Sequence, residues 1–229
     1  MLYIFENLNK IDSLFFKSKQ SLLSEQRFEK IKRLKSSKAK NASIAVYLLL
    51  RLGLLQKYGI NEAAMFKFGK HKKPFLKDYP HIFFSLSHSD NVVACAISDS
   101  VIGVDVQIIS PIEKKLAKRV LTESEYLEFE KSKVPDDYFC KVWTVKESYL
   151  KKTGDGITKE LREISADSIS GVRIIRGADY YCSVCSDKVC GDSRSNSIGV
   201  DNSDIKDCKI NVKYVGRDDF EQLCFGQTD

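Results

Sequence analysis

The sequence predicts an α+β protein, and three observations lead there. Short apolar runs bounded by polar turn residues read as strands, and one long run without strand alternation reads as a buried helix. The third observation is an internal echo: NVVACAISD (91–99) and DYYCSVCSD (179–187) are both apolar strands ending in Ser-Asp. Such an echo suggests two related halves, divided around residues 107–112. At 229 residues the chain is long enough for one domain or two small ones.

In order, LYIF reads as a first strand over 2–5, and a basic helix follows near 21–35. The run SIAVYLLLRLGLL (43–55) is the centre of an apolar helix near 39–57 that stops at Gly59. A short strand near 64–68 leads into a polar connection, GKHKKPFLKDYP. Strands then fall at 82–87, 91–98 and 101–107, with Asp99–Ser100 expected as a short hairpin connection between the last two. Pro111 is expected to open a helix, and Thr122 with Glu125 three residues on forms a capping box. The helix holding WTVKESYLK (143–151) starts near Asp136, just after Pro135, and ends at Gly154. GVRII, YYCSVCS and CKINVKYV read as strands, and 189–204 as a mobile loop.

Composition narrows the class. No window approaches the roughly 18 apolar residues that a membrane span needs, and Arg51 and Gly53 interrupt the longest run. The first residues lack a secretory leader pattern, so the expectation is a soluble cytoplasmic protein with reduced thiols. Five of the seven cysteines lie in the last 48 residues. Cys182 and Cys185 form a C-x-x-C, but in a strand those positions point to opposite faces, so small buried hydrophobes are a better reading than a zinc site. The net charge of +6 is concentrated in RFEKIKRLKSSKAK (27–40), with seven Lys or Arg against one Glu. That run is either a solvated helix face or an anion site. Zinc-finger spacing and aromatic ribonucleoprotein signatures are absent, so nucleic acid is not expected as a partner.

Three short stretches could carry chemistry. In the strand VIGVDVQ, Gly103, Asp105 and Gln107 share one face, and two oxygens about 6–7 Å apart can converge on one cation. Gly103 is expected to leave room there for a ligand to approach the backbone. In WTVKESYLK, Glu147 and Lys151 lie one helical turn apart on a stripe flanked by Trp143 and Leu150. An exposed pair of that kind is worth only about 0.3–0.5 kcal/mol, but a stripe bounded by Trp and Leu points to a pocket rather than water. In SLSHSD, Ser87, His88 and Ser89 end a strand, with Lys72 and Lys73 on the loop upstream. Lysines, a histidine and hydroxyls suit phosphate, and two carboxylates suit a hard cation such as Mg²⁺. The chemistry these types imply is transfer at a phosphate.

The order of these motifs resembles the 4′-phosphopantetheinyl transferase superfamily, in its larger Sfp-type class with two similar halves in one chain. The family signatures G-[IV]-D-[IV]-E and [FW]-[ST]-x-K-E-[SA]-x-x-K are met here by GVDVQ and WTVKESYLK, the second at every fixed position. Lys73–Pro74 answers the family's lysine-proline loop and Ser87–His88 its Ser-His. The likeness runs from about residue 20 to 157 and thins beyond.

The resemblance implies a pseudo-twofold pair of similar subdomains, 1–107 and 108–229, each a small mainly antiparallel sheet packed on a long helix, with the site in the cleft between them. It implies transfer of the phosphopantetheine arm of coenzyme A to a serine of an acidic acyl or peptidyl carrier protein by a monomer. Asp105, Gln107 and Glu147 would hold Mg²⁺, and Glu147 or a water on the metal would take the serine proton. Lys151 would stabilise charge on the transferring phosphoryl and leaving group. Lys73, Ser87 and His88 would bind the adenosine side, and Lys30 the 3′-phosphate. Gln107 departs from the family's usual Glu and brings an amide oxygen without charge. The alternatives are a coenzyme A-binding protein without transfer activity and a basic nucleic-acid-binding module. The latter leaves Asp105 and Glu147 without a role.

Overall fold

The computed structural model describes residues 1–156, 161–187, 205–206 and 210–223. The strands are β1 (Leu2–Phe5), β2 (Phe66–Phe68), β3 (Pro74–Leu76), β4 (Phe83–Ser89), β5 (Val92–Ser98), β6 (Ile102–Ile108), β7 (Val172–Arg176), β8 (Tyr180–Ser186), β9 (Ile205–Lys206) and β10 (Val212–Tyr214). The helices are α1 (Ser13–Ser18), α2 (Glu25–Lys32), α3 (Ser37–Tyr58), α4 (Lys114–Val120), α5 (Glu123–Lys131) and α6 (Pro135–Thr153). Together they make a mixed α+β protein with small, largely antiparallel sheets. No helix among the described residues is long and apolar enough to cross a membrane.

The chain separates into two units: Met1–Asp99 together with Asn211–Asp229, and Ser100–Ile210. This differs from a divide at 107/108 in two ways, both set by strand pairing. The strand bearing GVDVQ, β6, pairs with β8 and so belongs to the second unit. The late strand β10 pairs in parallel with β1, which returns the C-terminal segment to the first unit. The expected 99–100 hairpin is therefore a correction: β5 pairs with β1 and β4, not with β6.

The first unit is built on α3. Thirteen consecutive residues from Ala42 to Leu54 are buried, Ser43 and Arg51 among them, so this helix runs through the core. It ends at Gly59 in the left-handed conformation (φ 69°), where a glycine has no Cβ to clash. The sheet order is β10-β1-β5-β4, and a separate two-stranded ribbon pairs β2, the strand expected near 64–68, with β3, which falls inside the expected polar connection. The basic helix is shorter than its charge run: Ser24 caps α2 by accepting from the Arg27 amide, and residues Gln20–Leu22 form a separate 3-10 turn.

In the second unit the sheet order is β6-β8-β7-β9, all antiparallel. Its core gathers Val120, Leu121, Phe129, Phe139, Val142, Val145, Leu150 and Val172 around α6. Pro135 occupies the first turn of α6 and Gly154 (φ 76°) closes it, as the sequence signals require. The capping box of α5 forms with both hydrogen bonds present. Pro111 lies ahead of a helix that starts only at Lys114. Cys182 and Cys185 are free, fully buried thiols on β8. Cys190, Cys208, Cys224 and all of 189–204 lie outside the described residues.

Each unit runs strand, long helix, hairpin: β1–α3–β4–β5 and β6–α6–β7–β8. In both, the last strand of the series sits between the other two, antiparallel to each. The echoed segments are those two central strands, β5 and β8.

Candidate active site

An acidic cluster lies within the second unit, where β6 meets α6. Gly103, Asp105 and Gln107 share the face of β6 that packs on the helix, and Gly103 permits that contact. A Cβ on Gly103 would lie 2.0 Å from the Ser148 carbonyl oxygen and 2.4 Å from the Lys152 amide nitrogen. The room expected beside Gly103 for a ligand is thus occupied by helix backbone. What the close approach provides instead is position, because it holds Asp105 against the next turn of α6.

Asp105 is buried, and its Oδ1 accepts a hydrogen bond of 2.6 Å from Lys151 Nζ. Lys151 is therefore paired across to β6 and is not spent on an i,i+4 bridge with Glu147. Glu147 is also buried, and its Oε1 has no hydrogen-bond partner among the described residues. Burial holds its carboxyl above the usual range, and the nearby Asp105 charge raises it further, while Lys151 partly offsets both. Gln107 is half-buried at the end of the face. Its carbonyl accepts from Cys140 Sγ at 3.2 Å, and its amide turns to the Ile108 carbonyl at 3.4 Å. Trp143, on the same helix, stacks on Phe139 at 5.9 Å.

This donor set fits a hard divalent cation. Two buried carboxylates and one amide oxygen are oxygen ligands of the type Mg²⁺ takes. The orphaned Glu147 oxygen supports that fit, since a buried acceptor without a partner is costly unless something else satisfies it.

Lys146 shows why so many charges share one helix. It is fully buried, on a different side of α6 from Glu147, and its ammonium donates to Glu125 Oε2 (2.6 Å), Val120 O (2.8 Å) and Leu161 O (3.1 Å). In the sequence it is indistinguishable from a solvated lysine. The only local sign of its partner is the capping-box glutamate, 21 residues upstream.

A separate cationic cavity of about 630 Å³ lies within the first unit. Arg27 and Lys30 of α2, Arg33 at its C-terminal cap, Phe66, Phe68 and His88 are among its lining residues. Arg27 is fixed there by donating to the Ser43 carbonyl at 2.7 Å. Burial, and then the Arg27 charge, lowers the Lys30 pKa from its ordinary value, and burial lowers that of Lys73. Lys30 and His88 therefore share one cavity. Ser87 does not join them: it is buried while His88 is exposed, as neighbours on a strand must face opposite ways. Pro74 lines the cavity, whereas Lys73 before it is not among the lining residues. The aromatic walls were missed in the sequence, although the alternation in FKF could have suggested them.

A sequence model of the 4′-phosphopantetheinyl transferase superfamily matches residues 101–191, the stretch that contains both GVDVQ and WTVKESYLK. The chain is 36% identical over 153 residues to the 4′-phosphopantetheinyl transferase gsp of Aneurinibacillus migulanus, covering 65% of this chain and 63% of that one. It is 28% identical over 148 residues to the 4′-phosphopantetheinyl transferase Sfp of Bacillus subtilis (strain 168), covering 63% and 66%. Over 109 residues it is 40% identical to the 4′-phosphopantetheinyl transferase HetI of a Nostoc species, covering 43% and 45%. The chain spans just under two thirds of the length of the first two of these relatives. The stretch that carries the motifs is thus the one that the family model matches, and the aligned relatives cover at most 65% of this chain.

Proposed function

We propose that this protein transfers the 4′-phosphopantetheine group from coenzyme A to a serine hydroxyl of an apo carrier protein. The observation that carries the reading is the buried pair of carboxylates Asp105 and Glu147 with the half-buried Lys151 beside them, one glutamate oxygen being left open. The serine oxygen forms a bond to the β-phosphorus of the coenzyme A pyrophosphate. The bond from that phosphorus to the bridging oxygen breaks, and adenosine 3′,5′-bisphosphate leaves. Glu147 takes the serine proton as general base.

Asp105, Gln107 and Glu147 would hold Mg²⁺, which when bound neutralises charge on the pyrophosphate. Lys151, held by Asp105, is oriented to stabilise negative charge on the transferred and leaving groups, as phosphoryl transfer requires. Lys30 and His88, which share one cavity, bind the adenosine end, with Lys30 on the 3′-phosphate, while Ser87, on the opposite face of β4, takes no part. The net charge of +6 suits an acidic carrier through electrostatic steering. The protein acts as a cytoplasmic monomer, and its two units are copies of one β–α–β–β plan in a pseudo-twofold pair. The strand order shared by the units supports the duplication.

Gln107 favours a second reading, a coenzyme A-binding protein that has lost transfer. Intact-mass measurement of an apo carrier after incubation with this protein, coenzyme A and Mg²⁺ separates the two. A gain of one phosphopantetheine that disappears on chelation supports transfer. No gain on fatty-acid or peptide-synthetase carriers, with coenzyme A still bound, supports the inactive binder.

A further inference from the structure

Helix α6 is fixed from two sides. On the sheet side, the absent side chain of Gly103 seats the backbone of Ser148 and Lys152. On the other, Lys146 reaches into a knot made entirely of second-unit residues. All three ammonium protons are used, on Glu125, Val120 and Leu161. Glu125 is equally committed: Oε2 also accepts from the Thr122 amide at 2.8 Å, and Oε1 accepts from the Ala166 amide at 2.8 Å. One ion pair thereby ties the end of α4, the cap of α5, the middle of α6 and the two 3-10 turns at Leu161–Glu163 and Ala166–Ser168.

Packing alone does not demand this arrangement. A buried ion pair is often no more stabilising than apolar residues of the same volume, so its worth lies in what it specifies. Lys146 directly precedes Glu147, and consecutive residues on a helix point about 100° apart. Fixing the direction of Lys146 therefore fixes the directions of Glu147 and Lys151.

We infer that Lys146 is a positioning residue: its pair with Glu125 sets the rotation of α6 that turns Glu147 and Lys151 onto Asp105. The inference rests on the transferase reading above. It concerns a lysine that touches no substrate and no metal.

The test uses the full chain and three variants. Lys146→Met alone leaves the Glu125 charge buried without its partner and lowers Tm. Lys146→Met with Glu125→Gln removes both charges and recovers most of that loss. The paired variant should still show kcat reduced about tenfold, an effect of the size that a sub-ångström misplacement produces, with KM for coenzyme A unchanged. It should also bind Mn²⁺, followed by electron paramagnetic resonance, several-fold more weakly than the wild type. A purely structural role would move Tm and leave the KM-against-kcat split and Mn²⁺ affinity alone. A folded paired variant with wild-type kcat and Mn²⁺ affinity therefore overturns the inference. If the paired variant does not fold, Glu125→Asp takes its place, keeping both charges while shortening the arm by one methylene. Wild-type kcat and Mn²⁺ affinity there are equally fatal. A wild-type protein that neither transfers nor binds Mn²⁺ defeats the parent reading, and the inference with it, a result distinct from either.

Discussion

Replacing Gly103 with alanine perturbs the candidate site through a single added methyl group. The new Cβ would sit 2.0 Å from the Ser148 carbonyl oxygen and 3.0 Å from the Lys151 carbonyl carbon, both helix backbone that cannot swing aside. To reach an ordinary contact of 3.4 Å from the Ser148 oxygen, β6 and α6 must part by roughly 1.4 Å. Overpacking of this kind costs about 1–3 kcal/mol, and here the upper end applies because two secondary-structure elements must move. With a urea slope of about 1–3 kcal/mol/M, the unfolding midpoint should fall by about 1 M or more. Asp105 lies two residues along the same face, so the separation that relieves the clash also lengthens the 2.6 Å contact with Lys151. Transfer should then fall by about 100-fold, since an ångström of misplacement is enough for that. Urea unfolding followed by circular dichroism, with transfer measured on the same preparation, checks both. An alanine variant with an unchanged midpoint would refute the close approach of strand to helix, and with it the way Asp105 is held.

Glu147→Gln should abolish transfer while raising stability near neutral pH. The folded pKa of Glu147 lies above its ordinary value of 4.5, so the folded protein holds that proton more tightly than the unfolded chain. The resulting penalty is absent at low pH, grows as pH rises through that window and is complete above the folded pKa. A thermal scan should show a gain in Tm at about pH 8 that vanishes by about pH 4, and a loss at pH 8 would contradict the burial described for this carboxylate. Gln107→Glu adds a third carboxylate oxygen donor and should lower the Mg²⁺ concentration for half-maximal transfer. An unchanged Mg²⁺ dependence would remove Gln107 from the ligand set.

Most local structure was legible because its causes are local. Pro135 and Gly154 bracket α6, Thr122 and Glu125 cap α5, and the apolar run of α3 needs only its own sequence to read as buried. The face shared by Gly103, Asp105 and Gln107 follows from strand alternation, although what fills the space beside Gly103 does not. Alternation also placed Ser87 and His88 on opposite faces, a consequence that their adjacency in one motif obscured. Pairing was another matter. Asp99–Ser100 is short enough for a hairpin, yet β5 and β6 find partners elsewhere, and nothing within either strand names them. The burial of Lys146 was hidden for the same reason, since its counterion belongs to another helix.

The parallel pairing of β1 with β10 joins Leu2 to Val212, partners separated by almost the whole chain. A ribosome adding about 5–20 residues per second needs roughly 10–40 s to deliver the second after the first. Throughout that interval the outer edge of β1 has no partner, while residues Ser100–Ile210, one continuous segment, can fold as they emerge. The unit begun first is therefore the one finished last. Its open edge during synthesis is the moment at which this chain is most exposed to pairing with the wrong strand.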